Sequence, residues 1–415
     1  MKILAVIIAH PLRKRAGATN AGRELSVATA DLVEIDLAIM WDQEETLRLG
    51  NLKVQHVRST SVLRSAAPLV PRFVRVPLFD SRIPELIRDG DYDLVHIHNI
   101  IPAFAAERVA RACRRRGIPY VVSSHGFYEL THYAQINQFN RLKTLLADVA
   151  ITRPFRRIVK GAACIFALSD CERESLTTLG VTDDRIHVVT NGVSEFFFAP
   201  PDEGELTNAR QKIAVDRARG PLLFFMGSLH AYKGVDIFLR SLASVQQPFQ
   251  AVIGGAFKSD AERTHLLNNA GLKADVEALV RFTGALSNEE LRALYHLADL
   301  FVYPTQGDTL PLVVLEAMAC GLPVVSTTVA GIPCAVTPDV GILVPPGDAQ
   351  AVAAAVNTLL SDPYKRQTMS TAAAARVRQE FRWPVSARRA VEGYRRCLEM
   401  RDQRRRTSAA PAARP

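Results

Sequence analysis

Residues 301–327 read FVYPTQGDTLPLVVLEAMACGLPVVST, and this stretch decides the fold of the chain. Its pattern predicts a buried strand over 300–303, a loop, and then a helix with Thr309 as N-cap and Pro311 in the first turn. Gly321 is typical of the position just after a helix end, and the apolar residues beyond it predict a second strand. A strand, a helix and a further strand in this order are typical of a parallel sheet covered by helices.

Two carboxylates flank the predicted beginning of this helix. Asp308 lies just before it and Glu316 about two turns inside it, so a rise of about 1.5 Å per residue separates them by ~10 Å along the axis. The free N–H groups and the positive dipole end between them suit a phosphate or diphosphate, and carboxylates accept hydrogen bonds from sugar hydroxyls. The arrangement therefore suits a nucleotide sugar, while the spacing of the two acids alone favours an ordinary buried crossover helix with a solvated Asp and a Glu at its rim.

The string around these acids resembles a family signature. Asp308-x7-Glu316 within LEAMACGLPVV is similar to the Glu-x7-Glu signature of retaining glycosyltransferases of the GT-B fold, family 4. The resemblance implies that Asp308 contacts the transferred sugar and that Glu316 contacts the ribose. It also implies that backbone N–H groups near Thr309, Leu310 and Leu312 meet the sugar and phosphate. Asp308 is shorter than the usual Glu, so we expect its role to persist with altered sugar selectivity.

The loop 227–234, GSLHAYKG, follows another predicted strand. A lysine here can meet phosphate oxygens as a compact charge, although a lone loop lysine is more commonly just exposed. The spacing excludes a P-loop, because no Ser or Thr follows the lysine. The loop resembles the family's Gly-Arg-x4-Lys-Gly donor-diphosphate loop, in which Gly227 and Lys233 match and Ser228 replaces the arginine. Other cations that could compensate are Arg13, Lys14, Arg15 and His230.

The first half of the chain offers two weaker candidates. The resemblance implies that His125, after a strand predicted over 118–123, faces the anomeric centre, although an ordinary loop histidine fits the residues equally well. Gly17 lies in the first strand-to-helix loop, where close approach of the donor to the backbone requires a small residue. His96 and His98 share one strand face, but no third ligand follows at recognisable spacing. We therefore predict no metal and no cofactor, with a nucleotide-diphosphate sugar as donor substrate.

Short apolar strands alternate with helical segments in both halves of the chain, which predicts an α/β protein with parallel sheets. With the resemblance, this implies a GT-B fold of two doubly wound Rossmann-like domains facing a central cleft, with a C-terminal helix crossing back to the first domain. The predicted parts are an acceptor-side domain over 1–199, a nucleotide-sugar-binding domain over 200–370, the returning helix over 371–400 and a basic disordered tail over 401–415.

Composition limits the class of protein. The 415 residues are 48% hydrophobic and 22% charged, which is typical of a globular protein, and the net charge is +9. Six dispersed cysteines predict reduced thiols in a cytoplasmic protein, and no apolar run approaches the length of a membrane span. The segment 135–160 is basic and apolar, and fits either a solvated helix face or contact with an anionic membrane at its cytoplasmic side. No nucleic-acid-binding module is recognisable.

We therefore expect a metal-independent, retaining hexosyltransferase that moves a hexosyl unit from a nucleotide-diphosphate sugar to a glycan or polyprenyl-linked acceptor. Its context would be polysaccharide or cell-surface glycan biosynthesis. Two alternatives stay open. A nucleotide-sugar epimerase would convert the donor without an acceptor. A non-catalytic sugar-nucleotide-binding partner protein, suggested by Ser228 and Asp308, would bind the donor and transfer nothing.

Overall fold

The computed structural model describes residues 1–9, 17–62, 78–123, 126–127, 140–213, 219–257 and 259–409. They form two compact units, one from Met1–Gly192 together with the segment that begins at Trp383, and one from Val193–Arg382. The chain passes from one unit to the other at 192–193 and again at 382–383. These two points are adjacent, because the Val193 N–H donates to the Phe381 carbonyl at 2.8 Å. This pairing explains why the second unit begins before Pro200, where the sequence predicts the boundary, and ends after residue 370.

The first unit is built on a mostly parallel sheet. Its strands run in the spatial order third, fourth, second, first, sixth, seventh, eighth and ninth, and the fifth pairs with the fourth. The third and fifth strands are antiparallel to the fourth. The strands are β1 (Lys2–Ile7), β2 (Glu34–Trp41), β3 (Glu45–Leu49), β4 (Leu52–Ser61), β5 (Phe79–Ser81), β6 (Leu94–His98), β7 (Tyr120–Ser123), β8 (Cys164–Ala167) and β9 (Ile186–Val188). The central strands are buried along their length, as their continuous apolar sequences require.

Helices cover this sheet. They are α1 (Gly17–Ala30), α2 (Ile83–Asp89), α3 (Ala103–Arg116), α4 (Arg141–Ala147), α5 (Arg153–Gly161) and α6 (Arg173–Thr178). A π-helical segment, Asp148–Thr152, joins α4 to α5. Gly117 ends α3 in the left-handed conformation that favours glycine just past a helix.

The second unit has a wholly parallel sheet. Its strands are β10 (Leu222–Met226), β11 (Gln250–Gly254), β12 (Val280–Gly284), β13 (Leu300–Tyr303), β14 (Val324–Thr327) and β15 (Gly341–Val344). Their spatial order is β12-β11-β10-β13-β14-β15, which is the doubly wound order with its reversal between β10 and β13. In such sheets ligands bind beyond the carboxyl ends of the strands at the reversal, so this order locates the place to look for a site.

The helices of the second unit include a well-capped example in α11, where Ser287 and Glu290 form a reciprocal capping box. The helices are α7 (Glu203–Ile213), α8 (Val235–Leu242), α9 (Asp260–Ala270), α10 (Ala274–Glu277), α11 (Asn288–Leu297), α12 (Leu312–Ala319), α13 (Ile332–Ala335), α14 (Ala349–Leu360) and α15 (Pro363–Glu380). Among the described residues, no helix combines the length and apolar character needed to cross a membrane.

The C-terminal helix α16 (Trp383–Ala409) belongs to the first unit, where it packs on α1 and β8. Gly393 allows this approach, since a Cβ there would lie 2.6 Å from the Phe166 ring. The sequence predicts disorder from Arg401, whereas the structure continues the helix to Ala409, because arginine, the commonest residue of this segment, has good helix propensity.

Two cysteines correct another expectation. Cys164 of β8 and Cys397 of α16 are joined by a disulfide across 233 residues, so the prediction that all six cysteines are reduced thiols is wrong for this pair. The two positions meet only because α16 returns to the first unit, which cysteine spacing in the sequence does not show. Cys113, Cys171, Cys320 and Cys334 are not part of this disulfide.

Candidate active site

The sheet order brings two predicted site residues together. Lys233 lies in the loop after β10, and Asp308 lies in the loop after β13. These strands are adjacent and parallel, so both loops leave the same sheet edge at the strand-order reversal. The Lys233 ammonium forms an ion pair with the Oδ1 of Asp308. Residues 75 positions apart in sequence therefore form one polar centre.

The two loops are fixed to each other through their backbones. The Gln306 N–H donates to the Tyr232 carbonyl at 2.8 Å, and the Thr305 hydroxyl lies 3.1 Å from the same oxygen. Gly234 has φ +80°, and a Cβ at this position would overlap the Pro304 carbonyl. Only glycine therefore permits the turn that carries Lys233 to lie directly against the loop after β13.

Asp308 is held rigidly by neighbouring side chains. Its side chain is almost fully buried, and its Oδ2 accepts from the Thr305 hydroxyl at 2.7 Å and from the Tyr303 hydroxyl at 2.9 Å. Burial and the negative charge of Asp308 together raise the pKa of Tyr303 well above its ordinary value, so the phenol stays a hydrogen-bond donor. These contacts fix the carboxylate, and the carboxylate in turn fixes the Lys233 ammonium.

Helix α12 begins later than the sequence predicts. Pro311 is its N-cap and makes no side-chain cap, so the prediction that Thr309 caps the helix is wrong. The physical reason is that the residue before a proline is disfavoured in helical conformation, which keeps Leu310 out of the helix. The first N–H groups of α12 consequently have no side-chain acceptor from the N-cap.

Thr309 has a different part in this centre. It is 2% exposed, and its hydroxyl has no hydrogen-bond partner among the described residues. A buried hydroxyl without a partner is costly in a native protein, so the Thr309 hydroxyl is a candidate hydrogen-bonding group for a ligand. Thr309 follows Asp308 in the chain and lies just before the uncapped helix, whose first N–H groups suit an anionic ligand.

Glu316 lies in the second turn of α12 and is half-buried. The Tyr295 hydroxyl has a single proton and two nearby acceptors, the Val313 carbonyl at 3.1 Å and the Glu316 Oε2 at 3.4 Å. Burial raises the pKa of Glu316 to about 7, and the long hydrogen bond from Tyr295 opposes this shift. The carboxylate therefore keeps acceptor capacity that the described protein groups do not use.

The remaining predicted residues of the second unit lie in the same two loops or at the start of α12. Gly227 follows β10 and donates its N–H to the Gly254 carbonyl at 3.1 Å, and Ser228 next to it is exposed. Leu310 is buried, and Leu312 is the first residue of α12. Tyr303, Thr305 and Tyr295 were missed by sequence reasoning. The signal for the first two was their position at the end of a strand beside the sheet reversal.

The predicted residues of the first unit are less informative. Gly17 is exposed and is the first residue of α1, and a Cβ there would meet nothing within 4 Å, so packing inside the protein does not require a glycine. His125 and the cluster 13–15 lie outside the described residues. His96 bonds Tyr394 at 2.7 Å and Ser123 at 2.8 Å. In the described parts of the chain no group of three or more His, Cys, Asp or Glu side chains is arranged to hold a metal ion.

Comparison with known families gives two matches. The family model described as Glycosyl transferases group 1 matches residues 220–362, which contain Lys233, Asp308 and Glu316. The model described as Glycosyltransferase Family 4 matches residues 20–195, all but the last three of which belong to the first unit. Each unit is therefore matched mainly by one of the two models.

Individual relatives agree with these matches. A D-inositol 3-phosphate glycosyltransferase of Kineococcus radiotolerans is 30% identical over 334 residues, or 75% of this chain and 73% of the relative. A protein of the same name from Frankia alni is 30% identical over 321 residues, covering 74% and 75%.

Solved structures share the fold. A sucrose-phosphate synthase from Thermosynechococcus elongatus has a TM-score of 0.74 at 19% identity, covering 96% of this chain and 100% of that one. Anabaena HepE, solved in complex with UDP-glucose, has a TM-score of 0.70 at 19% identity and covers 94% and 99%. The prediction of a GT-B fold with Rossmann-like units is confirmed.

Proposed function

Because the chain belongs to the group 1, or family 4, glycosyl transferases, we propose that it transfers a hexosyl unit from a nucleotide-diphosphate sugar to a glycan or lipid-linked acceptor with retention of configuration. The observation that supports this best is the Lys233–Asp308 pair beside the uncapped start of α12. The D-inositol 3-phosphate relatives and the UDP-glucose complex of HepE support a hydroxylated acceptor and a nucleotide-sugar donor.

The leaving diphosphate sets the main electrostatic requirement of this reaction. Lys233 carries three N–H donors, so it can keep its bond to Asp308 and still donate to phosphate oxygens. The free N–H groups at the start of α12 and the Thr309 hydroxyl add donors that need little rearrangement. We propose that these groups supply the positive potential without a metal.

The two carboxylates would orient the sugar portions of the donor. Glu316 has unused acceptor capacity and suits the ribose hydroxyls, which would also favour its charged form. Asp308 is already bonded to three protein groups, so one lone-pair direction is left for a hydroxyl of the transferred sugar. In a front-face displacement, the departing phosphate oxygen would take the proton of the acceptor hydroxyl.

A polyprenyl-linked acceptor would be presented by a membrane. We therefore propose that the protein acts in the cytoplasm, peripherally at the cytoplasmic membrane, in the synthesis of polysaccharide or cell-surface glycan. Its partners would be the nucleotide sugar, the acceptor and the anionic lipid surface, with no nucleic acid.

The test is release of nucleoside diphosphate from a panel of nucleotide sugars, with acceptors that include D-inositol 3-phosphate and a membrane extract. Lys233→Ala should lower turnover about 10²-fold, the typical effect of removing one buried electrostatic stabiliser. The matched control is Lys212→Ala, since Lys212 also pairs with one acid, Glu290 at 2.6 Å, but lies at the surface. Equal turnover in the two variants would contradict the proposal.

The products separate the alternatives. An anomeric proton signal of unchanged configuration in the transferred sugar supports retention, and an inverted signal contradicts it. Conversion of the donor without acceptor would indicate an epimerase. Donor binding without turnover under every acceptor condition would indicate a sugar-nucleotide-binding protein.

A further inference from the structure

The first unit contains a large open groove, away from the residues assigned above. Its volume is about 1090 Å³, and it lies between α2 and α3 on one side and the segment from α4 to the start of α5 on the other. The apolar lining residues are Leu78, Pro84, Ala103, Phe104, Ala112, Leu145, Leu146, Val149, Ala150 and Pro154. The charged lining residues are Glu85, Arg88, Glu107, Arg108, Arg111, Arg115, Arg116 and Arg157.

Several apolar side chains in and beside the groove, together called the apolar wall, are exposed to an unusual degree. Phe104, Leu145, Leu146 and Val149 line the groove, and Leu142 adjoins them on α4; these side chains are 38% to 66% exposed. They make up half of the large hydrophobic side chains that are exposed in the described parts of the chain. Single exposed apolar residues are ordinary, whereas a contiguous group marks an interaction surface.

The exposure does not come from a poorly anchored segment. Ala147, Ile151 and Phe155 of the same stretch are buried against the core of the unit, and the Asn140 side chain caps α4 at the Lys143 N–H, 3.0 Å away. The stretch thus has one apolar face in the core and a second apolar face turned outward. A π-helical segment lies in its middle, a feature often found at functional sites.

The charges around this wall are mainly positive. Six arginines and two glutamates line the groove. Arg108 pairs with Asp80, Arg88 with Asp89, and Arg111 with Glu107. Arg115, Arg116 and Arg157 have no carboxylate at ion-pair distance in the described ranges, so their charges are available to an anion. Guanidinium groups bind phosphate oxygens through paired hydrogen bonds.

We propose that this groove docks the first unit on an anionic phospholipid bilayer, with acyl chains against the leucine and valine wall and headgroup phosphates on Arg115, Arg116 and Arg157. Charge complementarity selects this occupant, because the available side chains are cationic while the wall is aliphatic. This pairing is typical of segments that lie in the membrane interface. The membrane location in the proposed function follows from the lipid-linked acceptor, and this groove adds a docking site that the transfer chemistry does not need.

Vesicle flotation tests the proposal with the full-length chain. Wild type should float with vesicles of phosphatidylglycerol and phosphatidylcholine, less so in high salt, and should not float with phosphatidylcholine alone. Arg115→Glu/Arg157→Glu should lower the affinity by about tenfold or more, given roughly fivefold for each basic side chain near the surface. The matched control Arg48→Glu/Arg58→Glu makes the same charge change at exposed sites of the same unit and should bind nearly as wild type.

The apolar wall needs a separate pair of variants. Leu145→Asp/Val149→Asp should lose binding even at low salt, and the milder Leu145→Ser/Val149→Ser should weaken it. Leu32→Asp/Leu49→Asp, at exposed leucines elsewhere in this unit, should not. Three results would overturn the proposal: equal flotation with neutral vesicles, wild-type binding by the Leu145/Val149 variants, or a change of oligomeric mass in these variants with vesicle binding retained.

Transfer activity with a soluble acceptor separates this proposal from the proposed function. The groove variants should keep turnover while losing vesicle binding, and Lys233→Ala should show the reverse. Loss of vesicle binding in Lys233→Ala as well as in the groove variants would contradict a site specific to the groove. Loss of turnover with the soluble acceptor in the groove variants would also contradict it.

Discussion

Two glutamates, one in each unit, have pKa values raised to about 7 by burial, yet their surroundings differ. Glu172 of the first unit is 2% exposed, and both of its oxygens accept backbone N–H groups, Phe127 at 3.0 Å and Leu168 at 2.7 Å. Among the described residues, the Glu316 carboxylate of the second unit has only the long 3.4 Å contact with a tyrosine hydroxyl that already has a closer acceptor.

The difference teaches that a perturbed pKa alone does not identify a functional acid. Perturbed values cluster at functional sites, but structural acids have them too. The two glutamates differ in whether both carboxylate oxygens accept hydrogen bonds from protein donors. Glu172 joins two backbone segments and has a structural role, whereas Glu316 is desolvated without being satisfied, which suits a ligand that brings its own donors.

The largest expected effect is on turnover. Glu316→Gln keeps the shape of the side chain but removes its charge and one acceptor oxygen, so we expect donor turnover to fall by about 10²- to 10³-fold. Glu172→Gln makes the same chemical change outside the donor site and should stay within about tenfold of wild type. Steady-state release of nucleoside diphosphate measures both. Similar losses in the two variants would remove the distinction between them.

The second effect is on stability, where substitution of Glu172 should have a larger effect than substitution of Glu316. Glu172→Ala leaves two buried N–H groups without acceptors, at about 1–3 kcal/mol each, so the free energy of unfolding should fall by about 3 kcal/mol. Glu316→Ala removes an acid whose charged form is disfavoured by burial, and the Tyr295 hydroxyl keeps its bond to the Val313 carbonyl, so any loss of stability should be below about 1 kcal/mol. Urea unfolding at neutral pH compares them. A larger loss in Glu316→Ala would make that residue the structural one.

The sequence predicts the framework of the candidate site well. The predicted strand over 300–303 is confirmed by β13, and the helix that ends before Gly321 and the strand after it are confirmed by α12 and β14. These elements are readable because buried parallel strands appear as continuous apolar runs and glycine marks the helix end. The family signature then identifies Lys233, Asp308 and Glu316 as candidates.

The sequence does not predict which side chains meet. The Lys233–Asp308 pair depends on β10 lying next to β13, and the Cys164–Cys397 bond depends on the return of α16, so both follow from topology. Local chemistry also misled at one point, where Thr309 is a good N-cap residue but Pro311 delays the helix. The unpaired Thr309 hydroxyl is visible only after burial is known.

The smallest expected effect is the pH dependence of stability. An acid whose pKa rises from 4.5 to about 7 on folding binds more protons in the folded than in the unfolded state between these values. Stability is therefore fully present below about pH 4.5 and is lost as the pH rises toward 7. The Glu316→Gln variant has no ionisable group at this position. Its free energy of unfolding should therefore rise by about 2 kcal/mol relative to that of wild type as the pH is raised from 5 to 8.

Glu172 should contribute a slope of the same sign, because its pKa is raised in the same direction. The two acids differ once ligand is added. Ribose hydroxyls that donate to Glu316 favour its charged form. Saturating nucleoside diphosphate should therefore reduce the pH dependence of the wild-type free energy of unfolding by the same amount as the Glu316→Gln substitution does. Glu172→Gln should keep this response to ligand. If the nucleotide leaves the slope of wild type unchanged, Glu316 does not contact it, and the two glutamates are then both structural.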